Sequence, residues 1–341
     1  MKTIGYKPLL SPNPLSQRGL TLVELMVAIT IGVFLTGAVA ALYANTRTGF
    51  DYSNEVARMQ ENGRFALEVL SRDIRMAGYN GCGRNVNTAN VVNGASGDPM
   101  LDFSTPIHGY DGGNSTFPAA LTSAGALTSS DALILIGGNG GDLVVKSHNP
   151  PSAQIDTNTH SIKPGEILLI TDCSKASIFQ ITGPTNNNNN ATNVVHNTGT
   201  GTPGNCTKFL GASCPNSSSY TYKPGSLLMR LSSSAYFIGN SSLGDGSHSL
   251  YVLELAGTTG TPVAQELLTG VHDMQISYGL DTDGDFDVNS FTTANNITNW
   301  AQVIAVRVSL TMRSSKTNIS TSREALTKDF TETVVARNRT M

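Results

Sequence analysis

The residue with the clearest chemical purpose in this sequence is Glu24, because it is the only charged side chain among residues 20–44. A charge at the centre of a bilayer costs on the order of 2.5–3.5 kcal/mol on insertion scales, so an acid in such a segment calls for a positively charged partner. Cleavage between Gly19 and Leu20 would create an α-amino group four residues from Glu24 and in the same membrane layer. That amine would be a suitable partner for the carboxylate.

The remaining polar residues form no pattern that is typical of catalysis. The six histidines form no H-E-x-x-H motif and no close pair, and no serine lies in a G-x-S-x-G motif. The Gly-Gly-Asn-Gly-Gly run at 137–141 lacks the third glycine of a dinucleotide-binding motif and the lysine of a P-loop, so we expect a hairpin turn there. The net charge of −3 gives no indication of a nucleic-acid-binding surface. We expect no enzyme activity and no cofactor.

Aspartates alternate along the loop from Asp281 to Asp287, a density of carboxylates that calcium ligation requires. An EF-hand loop that began at Asp281 would need glycine at its sixth position and glutamate at its twelfth, where this sequence has Phe286 and Thr292. A turn between two strands is therefore the favoured interpretation, and a calcium site of another type is the alternative. We expect no metal centre.

The four cysteines are Cys82, Cys173, Cys206 and Cys214. They form no C-x-x-C motif, and no histidine stands beside them at a spacing typical of zinc sites. In an exported domain, two disulfides are the better explanation, and free cysteines are the alternative. Three pairings are possible, of which we favour Cys82–Cys173 with Cys206–Cys214.

The segment 20–44 is long enough to cross a membrane as a helix, since 25 residues at 1.5 Å each span about 37 Å against a hydrocarbon core of about 30 Å. A secretory signal peptide has its apolar core before the cleavage site, whereas here the residues before Gly19 are polar and the apolar block follows them. The basic residues Lys2, Lys7 and Arg18 predict a cytoplasmic N-terminus and an exported C-terminal part. A plain signal-anchor helix is the alternative.

The second half of the helix is predicted from a stripe of small and apolar residues. No proline lies between Pro14 and Pro99, and Gly78 begins a group of stop signals, so one helix is expected over 20–77. The stripe comprises Val56, Met59, Gly63, Ala66, Leu70, Ile74 and Ala77.

Strand signals follow the helix, which indicates an α+β chain. They cover 132–136, 143–146, 166–171, 177–182, 227–231, 235–238, 250–255, 263–268, 274–278, 303–312 and 330–336. Residues 84–130 and 183–206 are expected to be mostly loops. We expect the helix to pack on an antiparallel sheet, with the surplus strands forming an inserted β subdomain.

The segment from Gly19 to Leu25 reads Gly-Leu-Thr-Leu-Val-Glu-Leu and resembles the cleavage and methylation motif of type IV prepilins and type II secretion pseudopilins. The resemblance implies cleavage by prepilin peptidase after Gly19 and N-methylation of Leu20. It also implies that Glu24 acts in assembly, facing the N-terminal amine of a neighbouring subunit. Leu20 departs from the usual Phe, although conservatively.

Further marks resemble the PilW group of minor pilins, which implies a type IV pilin-like fold. These marks are Arg75-Met76-Ala77-Gly78-Tyr79, Gly81-Cys82, Asp172-Cys173, Tyr278-Gly279, Trp300 and Arg337-Asn338-Arg339. The resemblance divides the chain into a leader (1–19), a transmembrane and assembly helix (20–44), an amphipathic half (45–78) and an exported β-rich domain (79–341).

The function implied is that of a minor pilin in type IV pilus assembly, supporting motility, adhesion or DNA uptake. Its partners would be other minor pilins, the major pilin and prepilin peptidase, with no nucleic acid evident. It would lie in the inner membrane, with a single pass and a periplasmic C-terminal domain, and then in the pilus. The alternatives are a J-type secretion pseudopilin and a signal-anchored exported enzyme or binding protein.

Overall fold

The computed structural model describes residues 19–83, 86–113, 116–185, 190–199, 201–215, 218–255, 262–319 and 324–340. The chain divides into two compact units, 1–53 and 54–341. A single helix, α1 (Leu22–Met76), contributes residues to both units. The sequence predicts this helix over 20–77, and the structure confirms it with ends that differ by one or two residues.

The second unit is rich in strands, as the sequence predicts. In chain order they are β1 (Asn87–Asn90), β2 (Ile107–Tyr110), β3 (Ala132–Asn149), β4 (Gln154–His160), β5 (Ile167–Thr171), β6 (Lys175–Gln180), β7 (Ala191–Val195), β8 (Leu227–Asn240), β9 (His248–Leu255), β10 (Pro262–Thr269), β11 (Val271–Leu280), β12 (Ser290–Thr292), β13 (Val303–Arg313) and β14 (Thr327–Val335). Two short helices, α2 (Ala119–Ser123) and α3 (Arg337–Thr340), accompany them. The fold is therefore α+β.

The described strands form two sheets. The larger one follows the order β1-β6-β5-β8-β3-β4-β7, with β2 beside β3 and the β9–β10 pair beside β8, and it is antiparallel except for β1 with β6. The smaller sheet is antiparallel in the order β12-β11-β13-β14. All strands of the larger sheet lie between α1 and β11 in the sequence. The larger sheet is therefore an insertion in the chain between the helix and the smaller sheet.

The smaller sheet follows from simple alternation. Val306, Val308, Leu310 and Met312 are buried along β13, while the residues between them face outward. These side chains belong to a core that also contains residues of α1 and of strands β3, β8 and β9. The α1 members are Met59, Ala66, Leu67, Leu70, Ile74 and, just past the helix, Ala77. Each fully buried large aliphatic side chain contributes about 1.5–3 kcal/mol, so this shared core fixes the helix against both sheets.

The predicted stripe on α1 is correct except at its first position. Val56 is only half-buried, and the neighbouring Glu55 is buried instead at 4% exposure. The buried carboxylate is accounted for by hydrogen bonds, because the backbone N–H of Ser315 donates to Glu55 Oε2 at 3.1 Å. A hydrophobic stripe alone does not predict such a polar anchor.

The expectation of a hairpin turn at 137–141 is wrong, because this run lies inside β3. A Cβ added to Gly137 would lie 2.6 Å from the carbonyl oxygen of Met76, and one added to Gly138 would lie 2.2 Å from Met229 Sδ. The N–H of Gly138 donates to the carbonyl oxygen of Tyr79 at 2.6 Å. The glycines therefore let β3 lie directly against the end of α1, and the pairing with β8 is irregular between Asn139 and Leu143.

Two stretches that we expected to be mostly loops contain regular elements. Residues 84–130 include β1, β2 and α2, and residues 183–206 include β7. The pentapeptide of asparagines at 186–190 lies largely outside the described residues. β1 reads Asn-Thr-Ala-Asn and pairs with β6 along its whole length. The sequence of β1 shows no hydrophobic alternation from which a strand could be predicted. Backbone pairing with β6 is what holds it in the sheet.

Candidate processing and assembly site

The proposed cleavage bond lies outside the helix. Gly19, Leu20 and Thr21 have no helical conformation, and α1 begins at Leu22. All of them are exposed, Leu20 at 79%. The 19–20 peptide bond is thus accessible immediately before a long helix. The leader 1–19 lies outside the described residues except for Gly19, so cleavage and methylation stay predictions.

Glu24 begins the helix with a reciprocal pair of contacts to Thr21. The N–H of Thr21 donates to Glu24 Oε2 at 3.0 Å, and the N–H of Glu24 donates to Thr21 Oγ1 at 3.2 Å. The Thr21 hydroxyl also donates to Glu24 Oε2 at 3.0 Å. This is a capping box, which satisfies N–H groups that have no partner inside the helix. We did not predict this role for Glu24, although Thr21-x-x-Glu24 before an apolar run is the signature of a capping box.

The first unit is suited to lipid. Its helix is long and apolar enough to cross a membrane by length and composition, and none of its most apolar window is buried within the protein. Its threonine hydroxyls donate to carbonyl oxygens one turn earlier, as Thr30 does to Met26 at 2.8 Å and Thr46 to Leu42 at 2.8 Å. Polar groups satisfied within the helix do not oppose insertion.

Residues 235–339 match the family of the type IV pilus-assembly protein W, PilW. The prokaryotic N-terminal methylation motif matches residues 15–40, which contain Gly19, Leu20 and Glu24. No curated protein and no solved structure gives a significant match.

The two matches confirm the resemblance to PilW and to methylated prepilins. They support a minor pilin related to the type IV pilus in general. Together with the apolar helix, the methylation motif is consistent with a membrane-anchored pilin. The PilW match covers less than half of the chain and runs from the middle of β8 through α3, so it includes the whole of the smaller sheet.

The last residues of the PilW match hold the end of α1. Asn338 Nδ2 donates to the carbonyl oxygens of Arg75 and Ala77, both at 3.3 Å. Arg339 Nη2 donates to the carbonyl oxygens of Trp300 at 3.0 Å and Ala301 at 2.6 Å. The side chains of Asn338 and Arg339 thus donate to carbonyl groups at the end of α1 and in the turn before β13.

Two other marks of the resemblance also meet in the structure. The Trp300 ring packs edge-on against Tyr278 at 5.0 Å between ring centroids, and it lies 4.5 Å from the His108 ring at an interplanar angle of 33°. Tyr278 is 1% exposed, and burial raises its pKa well above the usual value. This aromatic cluster joins the smaller sheet to β2 of the larger one, and it is a packing feature.

Both disulfides are present, in the pairing that we favoured. Cys82 joins Cys173 with Cα atoms 5.4 Å apart, and Cys206 joins Cys214 with Cα atoms 6.3 Å apart. The first bond connects the segment after α1 to the turn between β5 and β6. Two of the PilW-like marks, Gly81-Cys82 and Asp172-Cys173, therefore form one covalent link.

The aspartate loop brings the carboxylates of Asp281, Asp283 and Asp285 within 4.8 Å of one another. The Asp281 carboxylate is already used as an acceptor, from the N–H of Gly284 at 2.6 Å and of Phe286 at 3.2 Å. These bonds are those of a turn, and the turn interpretation remains the favoured one.

The histidines form no close pair in the sequence, but four of them form close pairs in space. His148 and His196 lie 5.4 Å apart between ring centroids, and His248 and His272 lie 4.9 Å apart with nearly parallel rings. The partners in each pair are at least 24 residues apart in the chain, so no local sequence motif predicts these pairs. Neither pair forms a group of three metal-ligating side chains among the described residues.

Proposed function

We propose that the chain is the precursor of a minor pilin, cut between Gly19 and Leu20 and N-methylated at Leu20. The observation that carries the proposal is the position of this bond, which is exposed, non-helical and directly before the capped start of an apolar helix. Proteolysis favours an exposed and extended backbone over a helix. The methylation-motif match over 15–40 supports the same assignment.

We infer that the mature chain crosses the inner membrane once through residues 20–44. Residues 45–78 then carry the amphipathic half of the helix, and 79–341 form a periplasmic domain. Basic residues before the span favour a cytoplasmic leader. The disulfides support export, because such bonds persist in an oxidising compartment and are rare in the cytosol.

The role proposed for Glu24 is to pair with the new N-terminal amine of a neighbouring subunit. In the isolated chain the carboxylate is held by Thr21, so assembly would exchange local hydrogen bonds for an ion pair. An ion pair in lipid offsets the desolvation of both charges only when its geometry is good, which makes it sensitive to the axial position of the two subunits. The apolar helices would then pack together in the pilus core.

The position proposed in the pilus system is a small assembly with other minor pilins that primes growth of the major-pilin filament. Motility, adhesion or DNA uptake would depend on it. A deletion strain that loses its surface pili would support this position. Loss of enzyme secretion with normal pili would instead indicate a J-type secretion pseudopilin.

Mass spectrometry of the protein recovered from cell envelopes tests the processing step. The expected mature N-terminus is N-methyl-Leu20 in cells with an active prepilin peptidase. A chain that keeps Met1 in those cells would exclude a processed pilin and leave a signal-anchored exported protein.

The variant Glu24→Gln tests the assembly step, since it keeps the shape of the side chain and removes its charge. Glu61→Gln, an exposed glutamate on the same helix, is the matched control. We expect both variants to insert in the membrane and only Glu24→Gln to lose pili. Normal piliation in Glu24→Gln would refute the pairing.

A further inference from the structure

A cavity of about 250 Å³ lies within the second unit, between α1, the turns after β8 and β10, and the end of β13. No role in the proposed function draws on it. Its charged and titratable lining consists of Glu55, Arg58, Asp245, His248, His272 and Arg313. Formal charge is balanced while the imidazoles are neutral, so the state of each group decides what the cavity can bind.

Both carboxylates in the lining already accept hydrogen bonds from neighbouring donors. Glu55 accepts from the N–H and hydroxyl of Ser315 at 3.1 and 3.3 Å, and from Arg58 Nη1 at 3.4 Å. Asp245 Oδ1 accepts from the N–H and hydroxyl of Ser247 at 2.9 and 2.5 Å. Neither acid therefore offers a free pair of oxygens to a cation.

The cationic groups, by contrast, keep donors to spare. Arg313 forms no ion pair within the described part of the chain, and Arg58 uses only one of its donors in a long contact while its side chain stays 59% exposed. A guanidinium carries five N–H donors in a fork suited to oxyanions. Two such groups at one cavity favour an anionic ligand.

The stacked histidines add to this preference. His248 Nδ1 donates to the carbonyl oxygen of His272 at 3.0 Å, and the two rings lie 4.9 Å apart at an interplanar angle of 10°. Burial, followed by the charges of His248 and Arg313, lowers the pKa of the His272 imidazole. A negative charge bound beside this ring would therefore favour its protonated form.

The rest of the wall is mixed, with the polar side chains of Asn62, Thr269 and Thr317 beside apolar ones. Met59 and Met312 are buried beside the charged groups, and Leu243 is 67% exposed at the rim. Such a wall accommodates carbon atoms attached to the anion, and its amide and hydroxyl groups offer hydrogen bonds to further oxygens.

We propose that this cavity binds a phosphate group, either as free phosphate or as the headgroup of an anionic phospholipid. Phosphate is favoured over a carboxylate because its oxygens are arranged tetrahedrally and can accept from two guanidinium groups on different elements. Arg313 and Arg58 supply the charge, and His272 adds a third positive centre when it is protonated.

The test titrates inorganic phosphate into the full chain in neutral detergent at constant ionic strength. The melting temperature is the quantity that reports binding. A saturable rise is expected, stronger at pH values below the usual pKa of histidine, about 6.5, because the bound anion stabilises the protonated imidazole. The charged groups that line the cavity with His272 are Glu55, Arg58, Asp245, His248 and Arg313, and Asp273 also acts on its imidazole.

Arg313→Gln is the test variant, and Arg307→Gln is its control on the same strand. Arg307 lies outside the cavity, with its guanidinium 3.8 Å from the centre of the Phe291 ring. Arg313→Gln is expected to weaken binding about 10- to 100-fold, the loss typical of a charged hydrogen-bonding partner. Arg307→Gln is expected to bind as the unaltered chain does.

A second experiment distinguishes free phosphate from a phospholipid headgroup as the ligand. It compares micelles that contain phosphatidylglycerol with micelles that contain diacylglycerol, which lacks phosphate. Stabilisation by phosphatidylglycerol but not by inorganic phosphate assigns the headgroup, and stabilisation by inorganic phosphate assigns the free anion. The proposal is overturned if neither probe has a saturable effect, or if Arg313→Gln responds like the unaltered chain. Equal loss in Arg307→Gln would also overturn it, since it would indicate a general charge effect. These outcomes are independent of N-terminal processing and piliation.

Discussion

Phe330 lies directly against Gly63, at the place where β14 crosses α1. A Cβ built on Gly63 would come within 2.7 Å of Phe330 Cδ2, so the helix and the smaller sheet approach more closely than any side chain at position 63 allows. This approach connects the amphipathic half of the helix, which the sequence predicts, to a strand more than 260 residues later.

Gly63→Ala is therefore expected to destabilise the second unit by about 1–3 kcal/mol, the usual cost of overpacking a core. In an open helix the same change would stabilise by up to about 1 kcal/mol. Thermal or urea unfolding measures the difference. Gly49→Ala, with nothing within 4 Å of the added Cβ, is the control and should not destabilise. An equal effect of both changes would contradict the close contact.

The two disulfides are expected to differ in their effect on stability. Cys82–Cys173 spans 91 residues and Cys206–Cys214 spans 8, so loop-closure entropy predicts losses of about 4–5 and 2–3 kcal/mol respectively. Paired Cys→Ser variants, compared by urea unfolding, measure the two losses. The reverse order would show that native contacts rather than chain entropy dominate.

Acid is expected to destabilise the chain through the buried histidine pair. Burial lowers the pKa of His148 to about 4 and that of His196 to about 3, whereas an unfolded histidine titrates near 6.5. The unfolded state therefore binds more protons in this window. Stability is complete above about pH 6.5 and falls as the pH drops towards 4, by up to about 1.4 kcal/mol per pH unit for each ring.

The variant His196→Leu checks this sign. The free energy of unfolding at pH 8 serves as the reference for any change in packing. The quantity compared between the two chains is the slope of this free energy between pH 4 and 6.5. We expect the slope to decrease by up to about 1.4 kcal/mol per pH unit. An unchanged slope would mean that other groups cause the acid sensitivity.

Calcium is expected to leave the melting temperature unchanged. The Asp281 carboxylate is engaged by backbone N–H groups, as in an ordinary turn. A melting curve with calcium, set against one with magnesium at equal ionic strength, checks the expectation. A saturable rise with calcium that disappears in Asp283→Asn would establish a metal site instead.

Most of the processing segment could be predicted from the sequence, because its signals are local. A run of 25 residues with one charge identifies a membrane helix by length and composition. Period-3.6 spacing locates the buried face of α1, and period-2 spacing locates β13. The capping box was also readable from Thr21 and Glu24, since both of its hydrogen bonds lie within one helical turn.

What the sequence determined by itself was thus the helix, its buried face, the cleavage motif and the α+β class, all of which depend on neighbours within a few residues. Only the tertiary structure decided why Gly137 and Gly138 lie in a strand, because the reason is the carbonyl oxygen of Met76 and the sulfur of Met229. It likewise decided the stacking of His248 on His272 and the capping of α1 by Asn338. Contacts between distant segments leave no periodicity in the chain, so they become visible only when the segments meet.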